Sequence, residues 1–404
     1  MDGRGSAGVA RGTFVRRGRS PRRSSPLART PLSARHLYVH VPFCARRCSY
    51  CDFAIAVRAR VPVAEYVEAL RRELVLRHGE HPLTLDTLYF GGGTPSRLGG
   101  PGVEAAIGAV REVATLAPGA EVTLEANPDD VTPQALEAWA AAGITRLSIG
   151  SQSFSDVALA WMHRTHDAAG IVTAVELARR AGFADYSLDL IFALPGRVSR
   201  SWSDDLDRAL ALEPTHLSLY GLTVEPQTPL GRWSARGEIA EASEELYETE
   251  FLRAHERLAA AGFRHYEVSN FSLPGREARH NSSYWRGVPY AAVGPSAHAF
   301  DGTTRRWNAA PYAEWVRSLA AGRDPAAGRE ELTEDNRVAE QVYLGLRTDG
   351  GLALRDDAER CIVAPWVTAG WGALDPASGV LRLTPLGWLR LDALATVLTV
   401  HRTR

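Results

Sequence analysis

Three of the four cysteines in this 404-residue chain stand at Cys44, Cys48 and Cys51, and the fourth, Cys361, lies far downstream. The spacing is Cys-x3-Cys-x2-Cys. Three thiolates this close can each ligate one iron of a four-iron cluster, which leaves one iron without a protein ligand. An open coordination position is what a reactive metal centre needs. A structural zinc site would require a fourth donor at fixed spacing. His40 is the nearest, but it alternates with its neighbours in an apparent strand. A disulfide framework fits poorly, because three thiols cannot all pair and so few cysteines suit a reducing compartment.

Other residues could serve such a centre. Gly91-Gly92-Gly93-Thr94-Pro95 places three glycines in a row. Such a run lets a backbone approach a ligand with its N–H groups free, although a plain tight turn is the simpler reading. Glu125 and Asp189 sit in otherwise apolar runs. A buried carboxylate without a partner costs several kcal/mol, so each needs an ion pair, perhaps drawn from Arg146, or a ligand's hydroxyl or amino group. In Arg279-His280-Asn281-Ser282-Ser283-Tyr284-Trp285 a histidine stands beside two aromatics. It is either a haem ligand or an imidazole hydrogen-bonded under a loop, and the residues alone favour the second. His298, in Gly294-Pro295-Ser296-Ala297-His298, is an alternative ligand.

The elements that position these residues alternate. Strands are expected over Leu37–Val41, Thr87–Phe90, Glu121–Glu125, Arg146–Ile149, Tyr186–Ile191 and His216–Tyr220. Helices are expected near 63–78, 102–116, 133–142, 168–181, 201–212 and 241–261. Thr132-Pro133 is a capped start with a first-turn proline, and Gly143, Gly182 and Gly262 are stops. Six βα units in sequence predict a parallel sheet with helices outside it, curled by right-handed crossovers into a six-unit (β/α) barrel. Barrels of this kind do their chemistry at the carboxyl ends of the strands. The cysteines, the triple glycine, Glu125-Ala126-Asn127-Pro128, Gly150-Ser151-Gln152-Ser153-Phe154, Asp189 and Tyr220 all fall there, which predicts one pocket. Phe263–Phe271 reads as one further strand. Residues from about 310 to 404 read as a smaller helical domain with a final β-hairpin, in which Leu381–Leu383 precedes a capped helix.

Composition excludes several classes. The chain is 45% hydrophobic, ample for a core. No apolar run approaches the roughly 20 residues that span a bilayer. All 46 basic residues are arginine, and nine lie in residues 1–35 with one acid, Asp2. The rest carries 37 arginines against 46 acids, and an acidic body argues against a dedicated nucleic-acid protein. Residues 1–35 are too poor in large apolar residues to order themselves and read as a disordered basic tail or a start codon assigned too early. Their composition also resembles a transit peptide, though without an amphipathic helix.

Cys-x3-Cys-x2-Cys after an apolar strand resembles the radical SAM superfamily. The longer string Tyr38-Val39-His40-Val41-Pro42-Phe43-Cys44 resembles its coproporphyrinogen oxidase-like branch. The resemblance implies a partial, TIM-like (β/α)6 radical SAM barrel over 36–275, a connecting segment over 276–309 and a HemN-type, winged-helix-like domain over 310–404. It implies a [4Fe-4S] cluster on Cys44, Cys48 and Cys51 whose open iron binds S-adenosylmethionine (SAM). By the same resemblance Gly91, Gly92, Gly93 and Thr94 face the SAM amino group, and Glu125, Gln152 and Asp189 contact SAM. Arg164 faces its carboxylate, a geometry that an arginine fork suits. Tyr38 and Tyr50 match aromatic positions near the ligand.

Within the branch, coproporphyrinogen oxidases carry a further cysteine two positions on, where this chain has Phe53. That ending, and His280-Asn281-x-x-Tyr284-Trp285, resemble HemW-type haem chaperones, in which the motif's histidine is implicated in haem binding. The resemblance implies haem bound near His280, a haem-accepting apo-protein such as a respiratory enzyme, an electron donor, no nucleic acid and a cytoplasmic location. The alternative it leaves is an oxygen-independent coproporphyrinogen III oxidase of porphyrin biosynthesis.

Overall fold

The structure is a computed structural model that describes residues 34–404. The tail expected over residues 1–35 therefore lies outside the described residues, apart from Ala34 and Arg35. The chain divides into two compact units between Leu332 and Thr333.

The first unit is built on strands that are buried on both faces. β1 (His36–Val41) is followed by the short pair β2 (Phe43–Cys44) and β3 (Ala56–Val57), then β4 (Leu83–Gly92), β5 (Ala114–Ala126), β6 (Arg146–Gln152), β7 (Tyr186–Phe192) and β8 (His216–Gly221). Leu37, Val39, Leu88, Phe90, Leu124, Leu147, Ile149, Leu188 and Leu217 are fully buried, which is the continuous apolar reading that a covered parallel sheet demands. Further on come β9 (Arg264–Glu267), β10 (Asn270–Ser272) and β11 (Ala291–Val293). The sheet runs β11-β1-β4-β5-β6-β7-β8-β10-β9, with its first seven strands parallel. This is the partial barrel that the alternation predicts, with β11 added beside β1.

Helices cover the sheet between strands: α1 (Val63–His78), α2 (Gly99–Arg111), α3 (Pro133–Ala142), α4 (Asp156–Trp161), α5 (Ala168–Arg180), α6 (Trp202–Ala211), α7 (Pro229–Ala235) and α8 (Glu244–Ala260). Thr132 Oγ1 accepts the Ala135 N–H at 3.2 Å at the start of α3. Such a cap contributes about 0.5–2 kcal/mol.

Two expectations are corrected here. The helix expected over 102–116 stops at Arg111, because Ala114–Leu116 pair with Leu83–Leu85 and so belong to β5. The single strand expected over Phe263–Phe271 is a hairpin, β9 against β10, turning at Val268 and Ser269.

After α9 (Arg279–Trp285) and β11, the unit ends in β12 (His298–Phe300), β13 (Thr304–Asn308), α10 (Tyr312–Ala320) and β14 (Ala326–Glu331), of which the strands form a separate antiparallel sheet. The sequence reading gave residues from about 310 to the carboxyl-terminal domain, but α10 and β14 belong to the first unit. The physical reason is Glu73 of α1. Its carboxylate is fully buried and accepts from Arg77 Nε at 2.9 Å, Asn308 Nδ2 at 2.7 Å, Trp315 Nε1 at 2.8 Å and the Gly294 N–H at 2.9 Å. A buried charge is tolerated only when it is paired and hydrogen-bonded in this way.

The second unit holds α11 (Glu334–Arg347), α12 (Asp357–Thr368), α13 (Pro385–Trp388), α14 (Leu391–Arg402) and a three-stranded sheet of β15 (Leu352–Ala353), β17 (Val380–Leu383) and β16 (Gly372–Leu374). The expected hairpin is β16 against β17, and Thr384 caps α13. Arg402 grips Glu359 with two parallel hydrogen bonds of 2.7 and 2.8 Å in its interior.

Removing the Glu73 carboxylate would take a buried acceptor from three other donors and from Arg77, which would keep only Asp324 as a charged partner. We expect Glu73→Ala to lower the unfolding free energy by about 3 kcal/mol, as for other broken buried pairs. Denaturant unfolding would read this.

Candidate functional site

A cavity of about 470 Å³ opens at the carboxyl ends of β4 to β8, and Cys44, Cys48 and Cys51 all line it. The loop that carries them is pinned at its base, where the Ala56 N–H donates to Pro42 O at 2.7 Å and the Arg58 N–H to Cys44 O at 3.0 Å. His40 braces it from below, with Nε2 3.0 Å from Ala54 O and Nδ1 3.2 Å from the Tyr38 hydroxyl. Both nitrogens are therefore engaged, so His40 offers no lone pair to a zinc ion. All four cysteines are free thiols. Burial pushes the Cys44 thiol up and that of Cys51 up to about 11. Thiols held protonated in this way ionise when a cation binds, releasing protons. Thr94 Oγ1 lies 3.5 Å from Cys44 Sγ, and Arg164 Nη1 donates to Cys48 Sγ at 3.4 Å.

The glycine run ends β4 against this loop. Gly92 has φ +113°, and a Cβ there would sit 2.5 Å from the His40 ring. Only glycine fits, and its N–H donates to Glu125 Oε2 at 3.0 Å. The Tyr89 hydroxyl donates to Glu125 Oε1 at 2.8 Å. Burial raises Glu125 to about 7; these two donors oppose the rise and Asp189 adds to it. Glu125 makes no ion pair with Arg146, which binds Asp185 instead at 2.6 Å. Asp189 accepts from Ser148 Oγ at 2.9 Å and Ser187 Oγ at 3.2 Å, and burial raises its pKa.

Gly92, Gly93, Thr94, Glu125, Gln152, Arg164, Asp189 and Tyr50 thus line one cavity with the cysteines. Gln152 reaches it through a register shift between β6 and β7, at a left-handed φ of +68°. Three predicted residues do not line it. Gly91 and Tyr38 stand behind the wall, with Tyr38 stacked on Tyr89 at 6.0 Å. His280 is 1% exposed, and its ring nitrogens lie 2.7 Å from Thr87 Oγ1 and 2.7 Å from the Tyr284 hydroxyl. Burial pushes its pKa down to about 3, so it is a neutral core imidazole with no nitrogen to spare for iron. Arg164 also differs from expectation. Its fork is spent on protein groups, with Nη2 on Asn127 Oδ1 at 2.6 Å and Gly150 O at 2.8 Å, leaving only a buried Nε unpartnered.

Residues 38–209 match the family model of the radical SAM superfamily. Heme chaperone HemW of Mycobacterium tuberculosis H37Rv is 39% identical over 367 residues, 90% of this chain and 94% of that protein. The chain belongs to the HemW family, within the radical SAM superfamily. HemW of Bacillus subtilis is 34% identical, over 80% of this chain and 86% of its own. Coproporphyrinogen III oxidase (HemN) of Escherichia coli, a radical SAM enzyme, superimposes with a TM-score of 0.77 over 91% of this chain and 90% of its own. At 22% identity that likeness establishes a shared fold.

Sequence reasoning on this HemW-family chain missed the groups that hold the candidate site's side chains. Tyr89, Ser148 and Ser187 each bond a predicted residue. The available signal was polar residues recurring in otherwise apolar strands, as in Tyr186–Phe192, where Ser187 and Asp189 share a face.

A carboxyl whose folded pKa, about 7, lies above its ordinary 4.5 contributes fully only below the lower value, and its contribution is lost as pH rises through the higher one. We expect the ligand-free protein to lose stability between about pH 5 and 8, and Glu125→Gln to flatten that slope. Urea unfolding at stepped pH would show it.

Proposed function

We propose that this chain is a haem chaperone that holds a [4Fe-4S] cluster on Cys44, Cys48 and Cys51, binds SAM beside it, and delivers haem to an acceptor protein. The near-full-length match to proteins named heme chaperone carries the reading. The donor set suits the cluster: three thiols line one cavity, no fourth cysteine lines it with them, and both ring nitrogens of His40 are already engaged. When bound, the cluster supplies one-electron reducing power. The chain's own residues do the rest. The Arg164 guanidinium offsets thiolate charge at Cys48, and Thr94 can donate to Cys44. Glu125, poised to ionise near neutral pH, suits the ammonium of an amino acid, with the Gly92 N–H fixing its orientation. Asp189, held by two serines, suits ribose hydroxyls. No helix among the described residues is long and apolar enough to cross a membrane.

Phe53, which stands where the coproporphyrinogen oxidases carry their further cysteine, favours the chaperone over that enzyme. Anaerobically reconstituted protein should hold haem through gel filtration, and should form no protoporphyrinogen from coproporphyrinogen with SAM and reductant. Steady turnover of the porphyrinogen would overturn the reading. Cys48→Ala should abolish the broad visible absorption of the cluster, while full iron content in that variant would refute the ligand assignment.

A further inference from the structure

His216 is aimed at the candidate site without lining its cavity. It is buried, and it stands in β8 opposite Ser187 of β7, while the same ladder sets Ser218 opposite Asp189. Side chains two apart on a strand share a face, so Ser187 and Asp189 project together. His216 Nδ1 lies 2.8 Å from Ser187 Oγ, and Ser187 Oγ lies 3.2 Å from Asp189 Oδ1. On the other side of the ring, Nε2 lies 2.8 Å from the Tyr266 hydroxyl. That hydroxyl accepts the N–H of Ala278, the residue before α9, at 3.3 Å. A continuous chain of hydrogen bonds thus runs from the start of α9 to a carboxylate of the cavity.

Hydrogen-bond satisfaction places the protons. Burial and the charge of Arg146 push the His216 pKa well down, so the ring is neutral and carries a single N–H. The Tyr266 hydroxyl spends a lone pair on Ala278 and keeps its proton for Nε2. Nε2 therefore accepts, and the ring proton sits on Nδ1, where it is given to Ser187. Ser187 is then left to give its own proton to Asp189. In the other tautomer Nδ1 would be an acceptor closer to Ser187 than Asp189 is, and it would take the serine proton. The Tyr266 proton would then face an N–H inside the core, an unmet donor that folded proteins avoid. Ser148, the other serine bonded to this carboxylate, has one proton for both oxygens, at 3.1 and 2.9 Å. Burial raises the Asp189 pKa, and the hydroxyls of Ser218, Ser148 and Ser187 oppose the rise.

We propose that His216 is a positioning residue for ligand recognition: it directs the Ser187 proton onto Asp189 and so holds that carboxylate as a hydrogen-bond acceptor for the hydroxyls of a nucleoside ligand. The inference rests on the reading that SAM binds beside the cluster. An ionised carboxylate only accepts, whereas a protonated one presents a donor of its own to a ribose hydroxyl. Each proton aimed at Asp189 from the protein favours the ionised form, and successive links of such a chain polarise one another in a low-dielectric core. Loss of the relay therefore falls on hydroxyl recognition. An imidazole that merely filled space would support every part of the ligand alike.

The test is titration of the anaerobically reconstituted full chain with SAM and with its 2′,3′-dideoxyribose analogue. The unaltered protein should prefer SAM by about tenfold or more, as sites built to bond a hydroxyl do. His216→Leu should bind SAM about fivefold more weakly, the effect of one hydrogen bond, with its affinity for the analogue unchanged. His216→Asn, whose amide can keep a donor where Nδ1 stands, should recover most of the preference. Ser187→Ala should show the same selective loss, and the double variant should lose nothing further. Tyr266→Phe removes only the hydroxyl at the far end, should shift the preference in the same direction, and stands in should His216→Leu not fold. Equal weakening of both ligands in His216→Leu, no weakening of either, or additive losses in the double variant would overturn the proposal while leaving SAM binding in place. Unaltered protein that binds both ligands alike would overturn it too, and failure to bind SAM at all would overturn the SAM reading with it.

Discussion

The candidate site depends on the position of one neutral imidazole. His40 touches nearly every part of the pocket's foundation: its ring spans Tyr38 and Ala54, its carbonyl accepts the Tyr66 hydroxyl at 2.9 Å, and Gly92 presses against its ring. Burial lowers its pKa to about 4, so it stays uncharged and can donate at Nε2 while accepting at Nδ1. That division of roles ties the cysteine loop to the glycine run. Charging the ring would give Nδ1 a proton and set it against a hydroxyl that also donates.

The cavity above it is electrostatically uneven. Burial raises the cost of ionising both Glu125 and Asp189; Asp189 adds to that of Glu125, while the charge of Arg146 eases that of Asp189. Arg164, which lines the same cavity, is turned toward Cys48. Anionic sulfur is thus offset by arginine on one wall, while the opposite wall keeps unmet demand for positive charge. A zwitterionic ligand with a sulfonium satisfies both walls at once, which is why the geometry suits SAM better than a simple nucleotide.

Much of this was legible in the chain, because the signals were local. Helices over 63–78 and 133–142 lie where periodicity and caps placed them, and the cysteine spacing and strand ends marked the pocket. What stayed hidden depended on distant partners. Ala114–Leu116 looked helical until Leu83–Leu85 paired with it, and α10 looked like a new domain until Glu73 captured Trp315. Arg164 and His280 were given functional roles by resemblance, but a motif does not reveal whether a side chain's donors and acceptors are already consumed. Their hydrogen bonds to Gly150, Asn127, Thr87 and Tyr284 decide that.

The strand Ala291–Val293 has a bearing on biogenesis. It zips onto β1 in parallel, Leu37 opposite Ala291, although the two are separated by almost the whole barrel in sequence. While the polypeptide is being made, that edge of β1 stays bare until residue 293 has left the ribosome, and an uncovered edge invites mispairing. The segment that begins the metal loop is thus made long before its flanking partner.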